Sequence, residues 1–307
     1  MTKIRNNNDQ DLYSLGNDHT AMDGQGHVRA YSLGNGKSST ISYENLMPKR
    51  FYTDGIQDLT LDWDFAKGNL SGRVDARKGK TETFGYDNLD RLTSATISGQ
   101  TAQTVNYAGN GNISSKTDAG NYGYHPTKLN AVTGVSNAAT VIPSQQQDIV
   151  YNAFQQPYQV KEGQYELTYT YGADYNRIKS ELKQNGPSTG SGTVVKTRYY
   201  FSNFEKDNTG RYVHYVSSPV GLIAIVENNV THYTYTDHLG SILAVTNSGG
   251  GIEAEQNFDA WGRRRDKDSW ALLAPTAATG LPVWLYRGYT GHEHIDQFGL
   301  GAPDLLI

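Results

Sequence analysis

The chain reads as an all-β protein of stacked antiparallel hairpins, and three observations carry that reading. Aromatic residues followed by polar turns recur at intervals of 20 to 23 residues over much of the 307-residue sequence. Thirty-three glycines and a mean hydropathy of −0.62 describe a turn-rich chain with a modest core. Finally, 22 tyrosines stand against 8 phenylalanines and 4 tryptophans. Tyrosine joins an apolar ring to a polar tip, which suits sheets packed on one face and wet on the other. Together these predict a thin, curling, extended sheet rather than a globule with a thick interior.

Taken in order, residues 1–60 are weakly patterned. Gly16-Asn17, Asp23-Gly24 and Gly34-Asn35-Gly36 mark turns, Tyr31–Leu33 and Thr40–Tyr43 suit short strands, and the Asn-rich first ten residues are expected to fray. From residue 61 to 200 a repeat takes over. Its anchors are Trp63, Tyr86, Tyr107, Tyr151 and Tyr171, each followed by a turn of Asp, Asn or Gly and then an apolar residue such as Leu92, Ile113 or Ile178. A unit of about twenty residues holds two short strands and two turns. A hairpin of that size cannot bury its own apolar face, so it must stack on its neighbours. Gln184 to Thr193 reads as a flexible loop joining adjacent strands. Residues 201–300 continue the pattern through Tyr235 and Phe258, with Ala271 to Ala278 broken by Pro275 and allowing at most a turn or two of helix. Residues 301–307 form a short tail.

Several function classes drop out on composition. A net charge of −4 and a pI near 6.1 offer no basic field for nucleic acid. The absence of cysteine removes disulfides, thiolate nucleophiles and cysteine-based metal sites. The first eight residues lack the apolar stretch of a signal peptide, and no window approaches a membrane span.

Candidate chemistry is sparse. Asp237-His238 pairs an acid with an imidazole, but neighbours on a strand face opposite ways, so a turn acid and a structural ring are expected. His292-Glu293-His294 has the alternation that would put two imidazoles on one strand face, with Asp296 as the only further ligand at that spacing. Two histidines make a weak site, and no metal is expected. Arg263, Arg264 and Arg265 are flanked by Asp259, Asp266 and Asp268 and read as a solvated or salt-bridged strand end. No nucleophile stands beside a base, so neither enzyme activity nor a cofactor is expected.

The units resemble the YD repeats of bacterial Rhs proteins, most closely at Tyr86-Asp87 with Leu89, Arg91 and Leu92. Tyr235 to Gly240, Phe258 to Arg265 and Tyr289 to Phe298 resemble the RHS repeat-associated core domain. The residues carrying that match are Asp237, His238, Leu239, Gly240, Asp259, Trp261, Gly262, Arg263, Gly291, His292 and Glu293. The resemblance implies hairpins that spiral into a hollow shell around a toxic polypeptide. Its implied partners are the remainder of a longer chain or a toxin cargo, and its implied location is secreted or at the cell surface. The match stops at Leu300. The self-cleavage segment and toxin that follow in some family members are therefore expected to be missing, the chain reads as a truncated remnant, and Asp304 receives no protease role. Residues 286–307 would then be poorly protected. Two rival readings remain at this stage. One is a carbohydrate-binding module using exposed Tyr and Trp; the other is a metal-dependent hydrolase using His238, His292, His294 and Asp296.

Overall fold

The computed structural model describes residues 2–16, 21–127, 129–130, 132–136, 147–185, 192–273 and 280–295. Thirteen strands, from Lys3–Arg5 to Val132–Ser136, form one antiparallel sheet in which each strand pairs with its neighbours in sequence. Eleven more, from Gln147–Tyr151 to Ile252–Glu255, form a second sheet of the same kind, and Asn257–Phe258 pairs with Arg264–Arg265 as a small ribbon. Among the described residues the one helical piece is the 3-10 turn Tyr289–Gly291. None of their helices is long and apolar enough to cross a membrane. The expected all-β hairpin architecture is what the chain adopts.

Strand composition explains this. Tyr165–Tyr171 reads Tyr-Glu-Leu-Thr-Tyr-Thr-Tyr, an alternation that buries Leu167 beside Val160 and Leu182 of the adjoining strands. Residues 60/61 and 200/201 fall inside strands Gln57–Asp64 and Thr193–Phe201, so hydrogen bonding runs through both. Arg177–Gln184 pairs directly with Thr193–Phe201, as expected of a loop joining neighbours. Part of that loop and most of the Ala271–Ala278 segment lie outside the described residues.

The two sheets meet at a seam. Leu12, Tyr13, Leu15, Leu33 and Ile56 of the first pack on Ile223, Ala224, Tyr233, Tyr235 and Ala244 of the second. Polar links reinforce it: the Asn35 amide donates to Tyr235 Oη and Thr246 Oγ1, both at 2.8 Å, and Gln57 Nε2 donates to the Thr236 carbonyl at 3.0 Å. Gly34 lies so near this contact that an added Cβ would sit 2.3 Å from the Tyr233 hydroxyl oxygen. The first ten residues, expected to fray, instead contribute the edge strand Lys3–Arg5. Lys3 and Arg5 hold Asp11 at 2.9 and 2.7 Å, and that hairpin delivers Leu12 and Tyr13 to the seam. A second apolar cluster gathers Val213, Ile225, Ile242 and Val245 around Trp284, Leu285 and Tyr286. Residues 286–295 supply core side chains and ion pairs, which weighs against the poor protection expected of them. Residues 296–307 lie outside the described residues.

Candidate functional site

The repeat has a defined physical unit. At Asp87 the backbone N–H donates to the Arg91 carbonyl and the Asp90 N–H donates back to the Asp87 carbonyl, both at 3.0 Å. The Asp87 carboxylate oxygen Oδ1 accepts the N–H groups of Leu89 and Arg91 at 2.9 and 3.0 Å. Asp90, fourth in the turn counted from Asp87, takes the left-handed conformation with φ 58°. The same capped turn recurs at Asn6, Asp23, Asn152, Asp207, Asp237, Asn247 and Asp259. Asp and Asn serve equally because both offer a short side-chain oxygen that mimics a backbone acceptor. At Ala108 and Gly172 the backbone closes identically, and the cap comes from two residues further on: Asn110 Oδ1 accepts the Asn112 N–H and Asp174 Oδ1 the Asn176 N–H, both at 3.2 Å.

The aromatic anchor has its own task. Trp63, Tyr86, Tyr107 and Tyr171 each sit just past a β-bulge, and their polar tips reach back to the previous hairpin. Trp63 Nε1 donates to the Pro48 carbonyl at 2.8 Å, Tyr86 Oη to Leu70 at 2.9 Å, Tyr107 to Leu92 at 2.8 Å and Tyr171 to Pro157 at 2.6 Å. The accepting residues are themselves the cross-strand partners of the preceding anchors: Leu70 faces Trp63, Leu92 faces Tyr86 and Pro157 faces Tyr151. These units are thus tied to their predecessors through one indole N–H or one hydroxyl apiece. Tyr124 continues the series onto the Ile113 carbonyl at 2.8 Å, and Tyr43 reaches Val28 at 3.2 Å. Sequence reasoning missed both, because Tyr124 precedes His125-Pro126 and Tyr43 precedes Glu44 instead of a capping residue. The 17-residue step from Tyr107 to Tyr124 was the available signal.

One expected anchor is corrected. The bulge falls between Tyr235 and Thr236, and Thr236 pairs with Ile242 just before the Asp237 turn. Thr236 therefore occupies the anchor position, while Tyr235 faces the opposite way and is buried in the seam. Phe258 holds the anchor position ahead of Asp259 but has no hydroxyl. Its ring lies 5.8 Å from Tyr289 and 5.4 Å from His294.

The remaining expected site residues gather where the end of the chain grips both sheets. Asp237 caps its turn, as a turn acid does, and His238 lies in the same turn. The His238 ring meets Trp63 edge-on at 5.6 Å, and burial, with the nearby Arg73 charge, lowers its pKa. Leu239 is exposed, and Gly240, Gly262 and Gly291 supply the positive φ of their turns. Lys116 Nζ stands 4.6 Å over the Trp261 ring, and Arg263 reaches Asp118 at 3.5 Å and the Leu273 carbonyl at 3.0 Å. Arg264 and Arg265 are buried, so the triplet is salt-bridged but not solvated. Arg265 holds both oxygens of the buried Glu82 at 2.8 and 3.1 Å. Arg73 binds the same carboxylate at 2.8 Å and the Phe258 carbonyl at 2.7 Å. Burial would raise the Glu82 pKa, but the two guanidiniums keep it below the usual value.

The second sheet is gripped in the same manner. Arg287 reaches Glu205 at 2.6 Å, Tyr286 Oη reaches Asp207 at 3.1 Å, and Glu293 joins Arg198 and Tyr200. His292 and His294 do not share a face. After the 3-10 turn, His292 is exposed with Nδ1 2.6 Å from Thr290 Oγ1, whereas His294 is buried against Phe258. Among the described residues no three His, Asp or Glu side chains group as metal ligands. Asp296 lies outside them. What this arrangement does is mechanical: it ties residues 258–295 to two sheets by buried charge.

Residues 63–102, the segment carrying Trp63 and Tyr86, match the family model for the RHS Repeat. No curated protein matches the chain in sequence. Among solved structures, TcdB2-TccC3-Cdc42 superposes with a TM-score of 0.69 at 18% identity over 95% of this chain. TcdB2-TccC3 without its hypervariable C-terminal region gives 0.67 at 18%, and the Tc holotoxin pore of Photorhabdus luminescens gives 0.67 at 17%, each again over 95%. This chain spans 17% of the length of each of those chains. The chain thus carries an RHS Repeat over residues 63–102 and shares its all-β fold with these structures.

Proposed function

We propose that this chain is a structural segment of an RHS shell wall, and that the assembled shell encloses or presents a polypeptide toxin outside the producing cell. The observation that carries this reading is the tie from each anchor to the preceding hairpin. It spends the tyrosine hydroxyls on wall construction and lets the sheet extend by one unit at a time. In this reading 61–200 is repeat wall, 201–300 is the core region that clamps two sheets, and the partners are the rest of a longer chain or its cargo. The likeness to TcdB2-TccC3 supports the wall, and the cargo is our inference from the family. A carbohydrate module is less well supported, because the anchor aromatics face neighbouring hairpins instead of forming one outward platform.

The test is protection. An unfolded reporter polypeptide is fused beyond residue 307 in a chain carrying the additional repeats of a longer homologue, and its cleavage by a protease series is compared with that of the free reporter. Survival at doses that destroy the free reporter supports enclosure; equal cleavage rejects it. The same reading makes the protein a non-catalyst. Zinc or manganese calorimetry is expected to find no site tighter than about 10 μM, and sub-micromolar binding lost in the His292→Ala/His294→Ala variant would overturn that.

A further inference from the structure

We propose that Trp284–Ile295 is an acid-released latch on the second sheet, with His294 as the group that senses the proton. The attachment of this segment is unusual within the fold. Most of the described residues are held by ladders of backbone hydrogen bonds. Here the links to the second sheet are mostly side chains: Trp284, Leu285 and Tyr286 in their apolar cluster, Arg287 on Glu205, and Glu293 on Arg198. One backbone bond, from Ile242 N–H to the Gly288 carbonyl at 3.0 Å, joins it to a strand. Such a segment can detach while the sheet beneath stays formed.

His294 sits where a charge cannot be accommodated. It is 7% exposed, its ring lies 5.4 Å from that of Phe258, and Gly288 leaves so little room that a Cβ there would stand 2.7 Å from Nε2. Nε2 accepts the Tyr289 N–H at 3.1 Å, which requires an unprotonated nitrogen at that position. The charges around it are mostly of the wrong sign. Arg264 faces it from the Arg264–Arg265 strand, and Lys196 and Arg198 line the same recess from Thr193–Phe201. Tyr169 and Ser180 complete that side, and His292 adds to the positive field from its own segment. The carboxylate lining that recess, Glu293, is already committed to Arg198, Tyr200 and Arg177. By contrast, His232, stacked on Trp284, has a carboxylate beside it, with Nδ1 2.6 Å from Glu253 Oε2.

Burial first, then Arg264 and His292, depress the His294 pKa to about 2. Released into water, the ring returns to its ordinary value near 6.5. The detached form therefore takes up a proton that the seated form refuses. Each pH unit below about 6.5 multiplies the ratio of detached to seated latch about tenfold, so that pH 5 favours release about 30-fold more than neutral pH.

The experiment is hydrogen–deuterium exchange of the full chain from pH 7.5 to 4.5, corrected for intrinsic exchange rates. Peptides within 284–295 are expected to gain opening by about tenfold per unit below 6.5, while Val230–Thr236 stays protected. His294→Gln keeps an acceptor for the Tyr289 N–H and carries no titrating ring, so its profile is expected to be flat across that range. Equal slopes in wild type and variant overturn the proposal. Should the variant not fold, exchange at the imidazole C2 of the wild type reports the same quantity. A His294 ring titrating near 6.5 in the seated state refutes the latch, and one that stays neutral below pH 4 supports it.

Discussion

Glu82→Gln tests the grip of the chain's end on the first sheet. In the native protein one buried carboxylate, 1% exposed, answers two guanidiniums, Arg73 and Arg265, and the Arg265 side chain is equally buried. Glutamine keeps the shape and removes the charge, leaving two like charges facing each other in the interior. Breaking a buried pair by removing one partner costs about 3–5 kcal/mol. The lower end, about 3 kcal/mol, is expected here because each arginine keeps a neutral acceptor: Phe258 O for Arg73 at 2.7 Å and Asn257 Oδ1 for Arg265 at 2.8 Å. Arg73 and Arg265 also lie over the Trp270 ring at 5.5 and 4.8 Å, so Trp270 emission is a local reporter of this contact. Urea unfolding followed by both circular dichroism and fluorescence is the assay. A fluorescence midpoint lowered by the equivalent of about 3 kcal/mol is expected, with the Glu82→Leu/Arg265→Met pair recovering most of the loss. A Glu82→Gln protein within about 1 kcal/mol of wild type would refute the argument that buried charge holds this end.

Three further outcomes follow from the repeat geometry. Tyr86→Phe removes one hydroxyl from the Leu70 carbonyl and is expected to cost about 0.5–1.5 kcal/mol in urea unfolding, as is Tyr107→Phe at Leu92. Asp87→Ala strips a turn of its cap and should cost about 1 kcal/mol, and Asp87→Asn should be nearly neutral. Stability should also fall as pH rises above about 10. Burial pushes the Tyr169 hydroxyl up to about 12 and that of Tyr215 higher still; the unfolded chain therefore loses these protons first, which thermal melts at pH 9 to 12 alongside phenolate absorbance will register.

What could be read from the sequence was what has a local cause. The Trp63, Tyr86, Tyr107 and Tyr171 spacing was visible because a capped turn and a bulge are set by a handful of adjacent residues. Tyr235 was placed one residue early because Tyr-Thr-Tyr-Thr alternates perfectly and offers two equivalent registers. Only the packing of Tyr235 against Asn35, 200 residues away, selects between them. The burial of Arg265 was hidden for the same reason, since its partner Glu82 lies 183 residues earlier. His292 and His294 were assigned one face on the assumption of a strand, and the 3-10 turn at Tyr289–Gly291 removes that premise. The N-terminal hairpin was discounted on its Asn-rich composition, although Lys3 and Arg5 stand opposite Asp11 and fix its register through charge.

These two classes of contact divide the stability of the protein in a way that suits a wall. Hydroxyl ties and capped turns act between neighbouring hairpins, so losing one weakens a pair of units and leaves distant ones intact. Such a sheet can lengthen without limit but has no means of fixing its curvature or closing on itself. The seam at Asn35 and Tyr235, the Glu82 cluster and the Glu205–Arg287 pair supply what the repeat lacks. They join residues 82 to 211 positions apart in sequence, and they demand a unique arrangement because a buried charge tolerates few partners. Extension is therefore encoded in the repeat and the joining of the two sheets in its exceptions, which is why Tyr235, Arg265 and Arg287 carry long-range contacts and why the tyrosine-anchor pattern breaks at Thr236 and Phe258.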